Sequence, residues 1–582
     1  MSTPTDETLQ PHQPPPTQPE SRGNRFVDRK LNHYPVTSRR FLYLGITVLA
    51  TVILYYELYI GGAVSTKIIA DLGFTFTGYV FVSVIGNLVG AFASLAAGFA
   101  DRWGRANLVV IGLFITGLII LLWLPNATST TSFIIGFAIL SIVEGVVLVA
   151  TPALIRDFSP QLGRASAMGF WTLGPVLGSL VVTVVSSATL DAHPDWQFQF
   201  KICGVVGLVV AVIAFVTLRE LSPQLRDQLM VSLNDRVLIE ARAKDIDLEE
   251  VSKNPWKQML RFDVIGSAFA ISVFLLLYYI LVGFFVLYMA LVFGYSAAKA
   301  NGLANWYWAC NALALVVTGF LSDKTRVRKP FMILGGLISM IGCAFFAVRA
   351  TAGGQPSYTS WVILLIVMSV GGGMAYTAWM ASFTETVEKH NPAATATGLA
   401  IWGWIIRIVV TVSLFVFGFA LPAVDTLVSQ GAQVSAIAAK YPEQLKTIGA
   451  LKPDTLAALQ ANPTSPIAGA EAVKELITSG VASGPAAAVG RLQQLGTNPI
   501  APKDAAYLAK NAPAVQQAVK DNPGQWERWW WVCFAGQVVF LPFVFIMTGR
   551  WSPKKAKEDA ARHEAAVRDE MSKLHLTNES VF

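Results

Sequence analysis

Residues 98–105 read Gly98-Phe99-Ala100-Asp101-Arg102-Trp103-Gly104-Arg105, and residues 319–329 read Gly319-Phe320-Leu321-Ser322-Asp323-Lys324-Thr325-Arg326-Val327-Arg328-Lys329. Each stretch ends one apolar run and leads into the next. Their aspartates stand 222 residues apart (323 − 101). A second echo has nearly the same period: Gly169 and Gly174 precede Gly398 and Gly403 by 229 residues. Charged turns at equivalent places in two halves point to a duplicated unit.

Outward from these turns, apolar stretches long enough to cross about 30 Å of hydrocarbon recur. They fall near 41–65, 77–99, 107–125, 131–154, 166–188, 199–218, 264–291, 300–321, 331–349, 360–384, 396–421 and 527–548. This gives twelve spans, six on either side of a polar segment at 219–263. Composition agrees. Of 582 residues 54% are apolar and only 14% charged, against about 25% charged in soluble domains. So few charges cannot cover a water-soluble surface, and the same figures exclude a disordered chain. The expectation is an all-α polytopic membrane protein.

Cys203, Cys310, Cys343 and Cys533 lie singly in apolar runs with no metal spacing. That argues against a disulfide frame or a zinc site, and no cofactor or metal is expected. The six histidines lie in tails or between apolar runs, so the interior holds no histidine relay. The net charge of +7 follows topology and does not suggest nucleic acid. Arg39, Arg40, Arg102, Arg105, Arg156, Arg164, Lys324, Arg326, Arg328, Lys329 and Lys554 fall on one side. The opposite short loops carry little beyond Lys67, Lys201, Lys299 and Arg349. The positive-inside rule places the first side, and both termini, in the cytoplasm of a cell-membrane protein.

The expected organisation follows. Residues 1–38 are a Pro- and Gln-rich disordered tail without a signal peptide. Residues 39–218 form a six-helix bundle, and 219–263 a cytoplasmic linker with an amphipathic helix over Asp227–Lys253. Residues 264–421 supply five helices of a second bundle and 527–548 its sixth. Between them, 422–526 is an extracytoplasmic insertion, read as a small helical cap, and 549–582 is a cytoplasmic tail.

The double turn resembles the loop motif of the major facilitator superfamily of secondary transporters, G-x-x-x-D-R/K-x-G-x-R/K-R/K. Gly319 to Lys329 match it except that Arg326 replaces the inner glycine; the first copy keeps Asp101, Arg102 and Gly104 but has Ala97 where the leading glycine belongs. The resemblance covers about 41–421 plus 527–548. It implies two pseudo-symmetric six-helix bundles around a central cavity, alternating access, and no enzymatic activity. Asp101, Arg102, Arg105, Asp323, Lys324 and Arg328 are then conformational latches, since an Asp at a helix C-terminus opposes that helix's dipole unless a neighbour compensates it. Gly174-Pro175-Val176-Leu177-Gly178-Ser179 resembles the family's G-P-x-x-G-G motif, associated with antiporters, with Ser179 in place of the last glycine. Gly174, Pro175 and Gly178 also suit close helix packing, as do Gly86, Gly90 and Gly98 at four-residue intervals in span two.

Three ionisable side chains lie deep in the apolar runs: Glu57, Glu144 and Arg407. Each costs at least about 2.5 kcal/mol at the bilayer centre, so such groups face a partner or water and mark a pathway. Glu57 and Glu144 suit proton coupling, because burial and a nearby Arg pull a carboxyl group's proton affinity in opposite directions. The alternative is a permanent Glu–Arg pair that holds the halves together. Arg407 is the candidate grip for an anionic substrate, with Tyr56, Tyr278, Asn305, Asn311, Tyr376, Trp379 and Trp404 around it; Asn87, Tyr279, Trp308 and Trp402 belong to the same aromatic and amide belt. The resemblance puts spans one, four, seven and ten around the cavity.

The expected function is secondary active transport of a small organic solute by a proton-coupled monomer in the lipid bilayer. The span-five motif tips the direction toward efflux by antiport. The alternative within the class is proton symport of an organic anion or sugar-like metabolite. The alternative of another class is a non-transporting membrane sensor with 422–526 as its receptor domain.

Overall fold

The computed structural model describes residues 29–94, 104–158, 164–222, 224–225, 255–354, 356–391 and 395–573. Asp101, Arg102, Gly98 and the proposed linker helix at Asp227–Lys253 lie outside these residues.

The described chain is helical apart from one pair of two-residue strands. The first half contributes span one (Thr37–Ala63), span two (Phe76–Ser94), span three (Arg105–Leu118, continued by a π turn at Ile119–Trp123), span four (Thr130–Phe158), span five (Arg164–Thr189) and span six (Trp196–Thr217). The second contributes span seven (Phe262–Phe274 and Leu276–Phe293), span eight (Ala297–Thr325), span nine (Lys329–Arg349), span ten (Tyr358–His390) and span eleven (Thr395–Ala420). Span twelve is the last part of the 45-residue helix Pro502–Ile546.

Eleven of these helices are long and apolar enough to cross a membrane by composition alone. Span eight is the twelfth. It is 29 residues long, but Lys299, Asn301, Asn305 and Asn311 dilute its apolar character. It tolerates them because it packs between spans five and ten, where amides find partners.

Segment 422–526 is built from short helices, most opened by proline at the first turn, where its missing N–H costs nothing, followed by the first part of the Pro502–Ile546 helix. They gather around Leu451, Ala472, Leu476, Ala482 and Ala488. The tail helix is Pro553–Lys573.

The expectation of disorder throughout residues 1–38 needs correcting. Strand β1 (Lys30–Leu31) pairs in parallel with strand β2 (Glu220–Leu221). Just before it, the Arg29 guanidinium donates to the carbonyls of Ala214, Phe215 and Leu218 at 3.3, 2.6 and 3.3 Å. Those carbonyls lie in the last turn of span six, where the helix supplies few donors and the dipole favours a cation, which explains why a buried cation is held there.

Among the described residues, the polar bridges between the halves all lie toward the side away from the termini. Asn301 Nδ2 donates to the Ala63 carbonyl (3.0 Å) and Asn305 Nδ2 to Ser187 Oγ (3.0 Å). Thr77 Oγ1 donates to the Gly418 carbonyl (2.8 Å), and the Thr77 amide to Asp425 of the insertion (3.3 Å). Phe76 packs edge-on against Phe284 and Phe417 at the same level.

Candidate substrate and proton site

Span eleven carries Arg407 at its middle and sends the side chain across to the first half. The site of contact is Gly90 of span two: a Cβ built there would stand 2.8 Å from Arg407 Nη1 and 3.3 Å from the Ser141 carbonyl. Gly145 of span four also needs its missing side chain, since a Cβ there would meet the Gly90 carbonyl at 2.6 Å. The small residues of spans two and four therefore bring two backbones together and leave a notch for one guanidinium.

Glu144 is one residue from Gly145 and is only 6% exposed. Its Oε1 has no hydrogen-bond partner among the described residues. Arg407 acts electrostatically on Glu144, Tyr55 and Tyr279. Yet no ion pair joins Arg407 to a carboxylate among the described residues. Glu144 and Arg407, from opposite halves, are close enough to sense each other's charge without being bonded. This geometry disfavours the permanent-pair alternative.

Glu57 has a different setting. It is 1% exposed, and neither carboxylate oxygen has a hydrogen-bond partner among the described residues. A Cβ built at Gly207 of span six would run into its Oε1, and Thr116 of span three and Cys203 of span six are its polar neighbours. Glu57 thus points into the first bundle, within electrostatic reach of Glu144 but away from Arg407. Tyr56 is fully buried near Cys203 on the same side.

The tyrosines within electrostatic reach of the Glu144–Arg407 pair are Tyr55 and Tyr279, with Tyr278, Tyr59 and Tyr376 alongside. Tyr55 and Tyr59 pack at 5.4 Å, Tyr278 and Tyr279 at 5.2 Å, and Tyr59 and Tyr376 interact with both members of that pair. The Tyr278 hydroxyl is buried without a partner among the described residues. Tyr55 and Tyr59 had no place in the sequence-based site. Helical periodicity is the signal that finds them: Glu57 lies two residues, about 200°, from Tyr55, so the two cannot share a face, whereas Tyr59 returns to it.

Other expected substrate contacts are engaged elsewhere. Asn305 bridges to Ser187, and Asn311 Nδ2 donates to the Ser369 carbonyl (2.9 Å) within the second bundle. Trp379 is fully buried against Phe383 and Trp402, and Trp404 sits edge-on to Phe92 in the span two–eleven seam. Gly174 and Gly178 fit span five against Thr51, Val52 and Tyr55 of span one, and Gly86 fits span two against Phe137 and Ser141. Pro175 lies inside span five, its carbonyl taken by Ser179 Oγ at 2.9 Å.

A model of the Major Facilitator Superfamily matches residues 43–410. The chain belongs to this superfamily. It is therefore an integral multi-pass membrane protein with the twelve-helix fold of that superfamily. One curated relative, the MFS transporter asaE of Aspergillus flavus, is 26% identical over 220 residues, which cover 36% of this chain and 46% of that protein. The aligned region thus spans less than half of the relative. The fold is shared with a bacterial homologue of the human lysosomal transporter Spinster in an inward-facing, occupied conformation (TM-score 0.52, 16% identity, 89% of this chain and 100% of that one). It is also shared with a D-xylose–proton symporter (TM-score 0.51, 16% identity, 65% and 90% of the two chains).

The superfamily's loop motif is used twice, in parallel ways. In the first half, Arg105 Nη1 donates to both oxygens of Asp157 at the end of span four (3.0 and 2.8 Å), and its amide donates to Glu220 (2.7 Å). In the second, Arg328 pairs with Asp323 (2.7 Å) and with Glu385 near the end of span ten (3.0 Å). Burial alone would lower the Arg328 pKa, but Glu385 and Asp323 raise it above the ordinary value. Lys324 is exposed. Arg326, standing where the superfamily has glycine, is the one non-glycine residue with positive φ (55°) among the described residues; Gly104, its counterpart, has φ 88°.

Proposed function

We propose that the chain is a proton-coupled secondary transporter of a small organic solute, with Glu144 as the proton site and Arg407 as the charge that senses substrate. The observation that carries this is the placement of Glu144 and Arg407 on opposite halves, within electrostatic reach of each other and unbonded. A fixed cation lowers the proton affinity of a neighbouring carboxyl group, and burial raises it. An anion that settles on Arg407 cancels the first effect and leaves the second, so anion and proton bind cooperatively. Ligands that favour each other's binding travel together, which makes the coupling symport. The span-five glycines that tipped the sequence toward antiport are accounted for by their fit against span one, and they give no direction.

On this reading Glu57 holds a proton within the first bundle and follows Glu144 electrostatically without meeting substrate. Arg105 serves as the first latch and Arg328 with Asp323 as the second. The protein works as a monomer in the cell membrane with both termini cytoplasmic and 422–526 outside, following its Lys and Arg bias. The bridges at the Asn301, Asn305 and Thr77 level then close the external side in this conformation.

The test is solute flux into liposomes containing the purified full-length protein, with and without an imposed pH gradient. Accumulation that requires the compartment outside to be acidic supports symport. Accumulation driven by the opposite gradient, or flux indifferent to pH, overturns it.

A further inference from the structure

The 422–526 insertion takes no part in the site above, yet it reaches from one half of the molecule to the other. Its two ends are fixed to the second half. Helix Pro502–Ile546 runs unbroken from the insertion into span twelve. The Ala423 amide donates to Gln525 Oε1 (2.9 Å), and the buried Asn522 donates through Nδ2 to the Leu291 carbonyl of span seven (3.1 Å). Trp526, fully buried, packs against Phe417 of span eleven at 5.6 Å and Tyr288 of span seven at 5.0 Å. A segment held in this way to spans seven, eleven and twelve moves with the second bundle.

Its first turns cross to the other half. The π turn Leu427–Gly431 lies against the short helix Ser65–Leu72, which follows span one. Two residues before that turn, the half-buried Asp425 accepts from the Thr77 amide at the start of span two (3.3 Å). The first amides of a helix have no partner within it, and that end favours negative charge. Span two meets the need from two sources. Thr75 Oγ1 of its own half takes the Gly78 amide (3.0 Å), and Asp425 of the other half takes the Thr77 amide. The Thr77 hydroxyl returns a bond in the opposite direction, to the Gly418 carbonyl (2.8 Å). Beside them Phe76 is fully buried against Phe284 and Phe417.

We infer that the insertion is a clamp on the external face: Asp425, carried by the second half, caps span two of the first half and holds that face closed until the halves rock apart. The inference rests on the reading above that the Thr77 level closes the external side. The strength of the contact suits a bond that must break in every cycle. A carboxylate at an exposed helix end and one hydrogen bond each contribute modestly, and water takes over both roles when the halves part. The clamp therefore biases the equilibrium between closed and open without freezing it. Removing the carboxylate should raise the open population about three- to tenfold.

The test is the rate at which a thiol reagent modifies Ala304→Cys in purified full-length protein. Ala304 is 6% exposed and stands between Asn301 and Asn305, which bridge to the first half, so its modification reports opening of that end. Cys310, the one native cysteine that is not buried, is replaced by serine throughout. Asp425→Ala is expected to speed modification about three- to tenfold. Asp425→Asn should act more weakly, because it keeps an acceptor oxygen and loses the charge. Thr77→Val removes the returning hydroxyl bond from the other half and should act in the same direction; with Asp425→Asn it decides the matter should Asp425→Ala not fold. Asp504→Ala is the control. It removes contacts with Lys440 and Tyr441 inside the insertion (3.0 and 3.1 Å) and should leave the rate native. The proposal is overturned if folded Asp425→Ala is modified at the native rate, or if Asp504→Ala speeds modification as much. The rate needs neither substrate nor pH gradient, so it stands apart from the flux assay, whose failure would remove proton coupling and leave the clamp. On intact cells, modification of the Asp425→Ala protein by an impermeant reagent is expected; modification by a permeant reagent alone would overturn the external placement.

Discussion

Replacing Gly90 by alanine should disable substrate recognition while leaving the fold nearly intact. The added methyl carbon would stand 2.8 Å from Arg407 Nη1 and 3.3 Å from the Ser141 carbonyl oxygen. An easy contact needs about 3.5 Å, and Ser141 offers backbone, so the guanidinium is the group that retreats, by roughly 0.7 Å. Overpacking costs about 1–3 kcal/mol in general; here the cost falls at the low end because the displaced atoms are the tip of a flexible side chain. Recognition suffers more. A hydrogen bond to a charged group contributes about 1.5–3 kcal/mol, and 1.4 kcal/mol is a factor of about ten, so the substrate's KM should rise roughly ten- to a hundred-fold. Gly86→Ala is the control: its methyl would meet Phe137 and Ser141 Oγ, both at 2.8 Å, and should lower the melting temperature without touching recognition. Arg407→Lys should behave like Gly90→Ala, since it keeps the charge but loses the two-pronged geometry. The assay is initial-rate transport in liposomes alongside thermal melting of each variant. Native KM in Gly90→Ala, or equal effects of Gly86→Ala and Gly90→Ala on KM, would refute the reasoning.

Three further outcomes are expected. Arg105→Ala removes two hydrogen bonds to the Asp157 carboxylate, 8% exposed, and should cost about 1.5–3 kcal/mol, with part of the loss recovered in the Arg105→Ala/Asp157→Ala double variant; thermal melting reads both. Arg326→Gly relieves a left-handed backbone at φ 55° and should stabilise the protein by about 1 kcal/mol, read as a higher melting temperature with Asp323–Arg328 pairing retained. In the insertion, the Lys452 amide (2.9 Å) and the Thr455 hydroxyl (3.0 Å) donate to Glu475 and hold its pKa below the ordinary value, the amide having the larger effect. A depressed folded pKa means the clasp is intact above the free carboxylate value of about 4.3 and is lost as pH falls through the lower, folded value. Hydrogen exchange at residues 452–456 should therefore quicken on acidification in the native protein and be insensitive to that change in Glu475→Gln.

Much of the fold was legible because hydrophobic length and charged turns are local signals. Twelve spans in two halves followed from them, and span eight was found even though its asparagines weaken its apolar signature. The ordered segment at Arg29–Leu31 was not legible: it depends on carbonyls at the end of span six, nearly 190 residues away, and nothing local announces them. The site was legible in its charges and less so in its neighbours. Glu144 and Arg407 stand out wherever they occur in an apolar run. Whether Glu57 joins them depends on which face of span one looks inward, and the Tyr55–Tyr59 pair settles that only once the helix is built. Asn305 and Asn311 show the converse difficulty, since a buried amide signals that a partner exists but not whether the partner is a ligand, a serine or a backbone carbonyl.

The central claim is that substrate at Arg407 and a proton at Glu144 promote each other's binding. It is tested most directly by measuring proton uptake when a transported anion is added to weakly buffered, purified protein. The account predicts that native protein takes up protons as the anion binds, and that Glu144→Gln binds the anion with no uptake while still exchanging it across liposome membranes. Proton release on binding, or uptake that survives in Glu144→Gln, would contradict it.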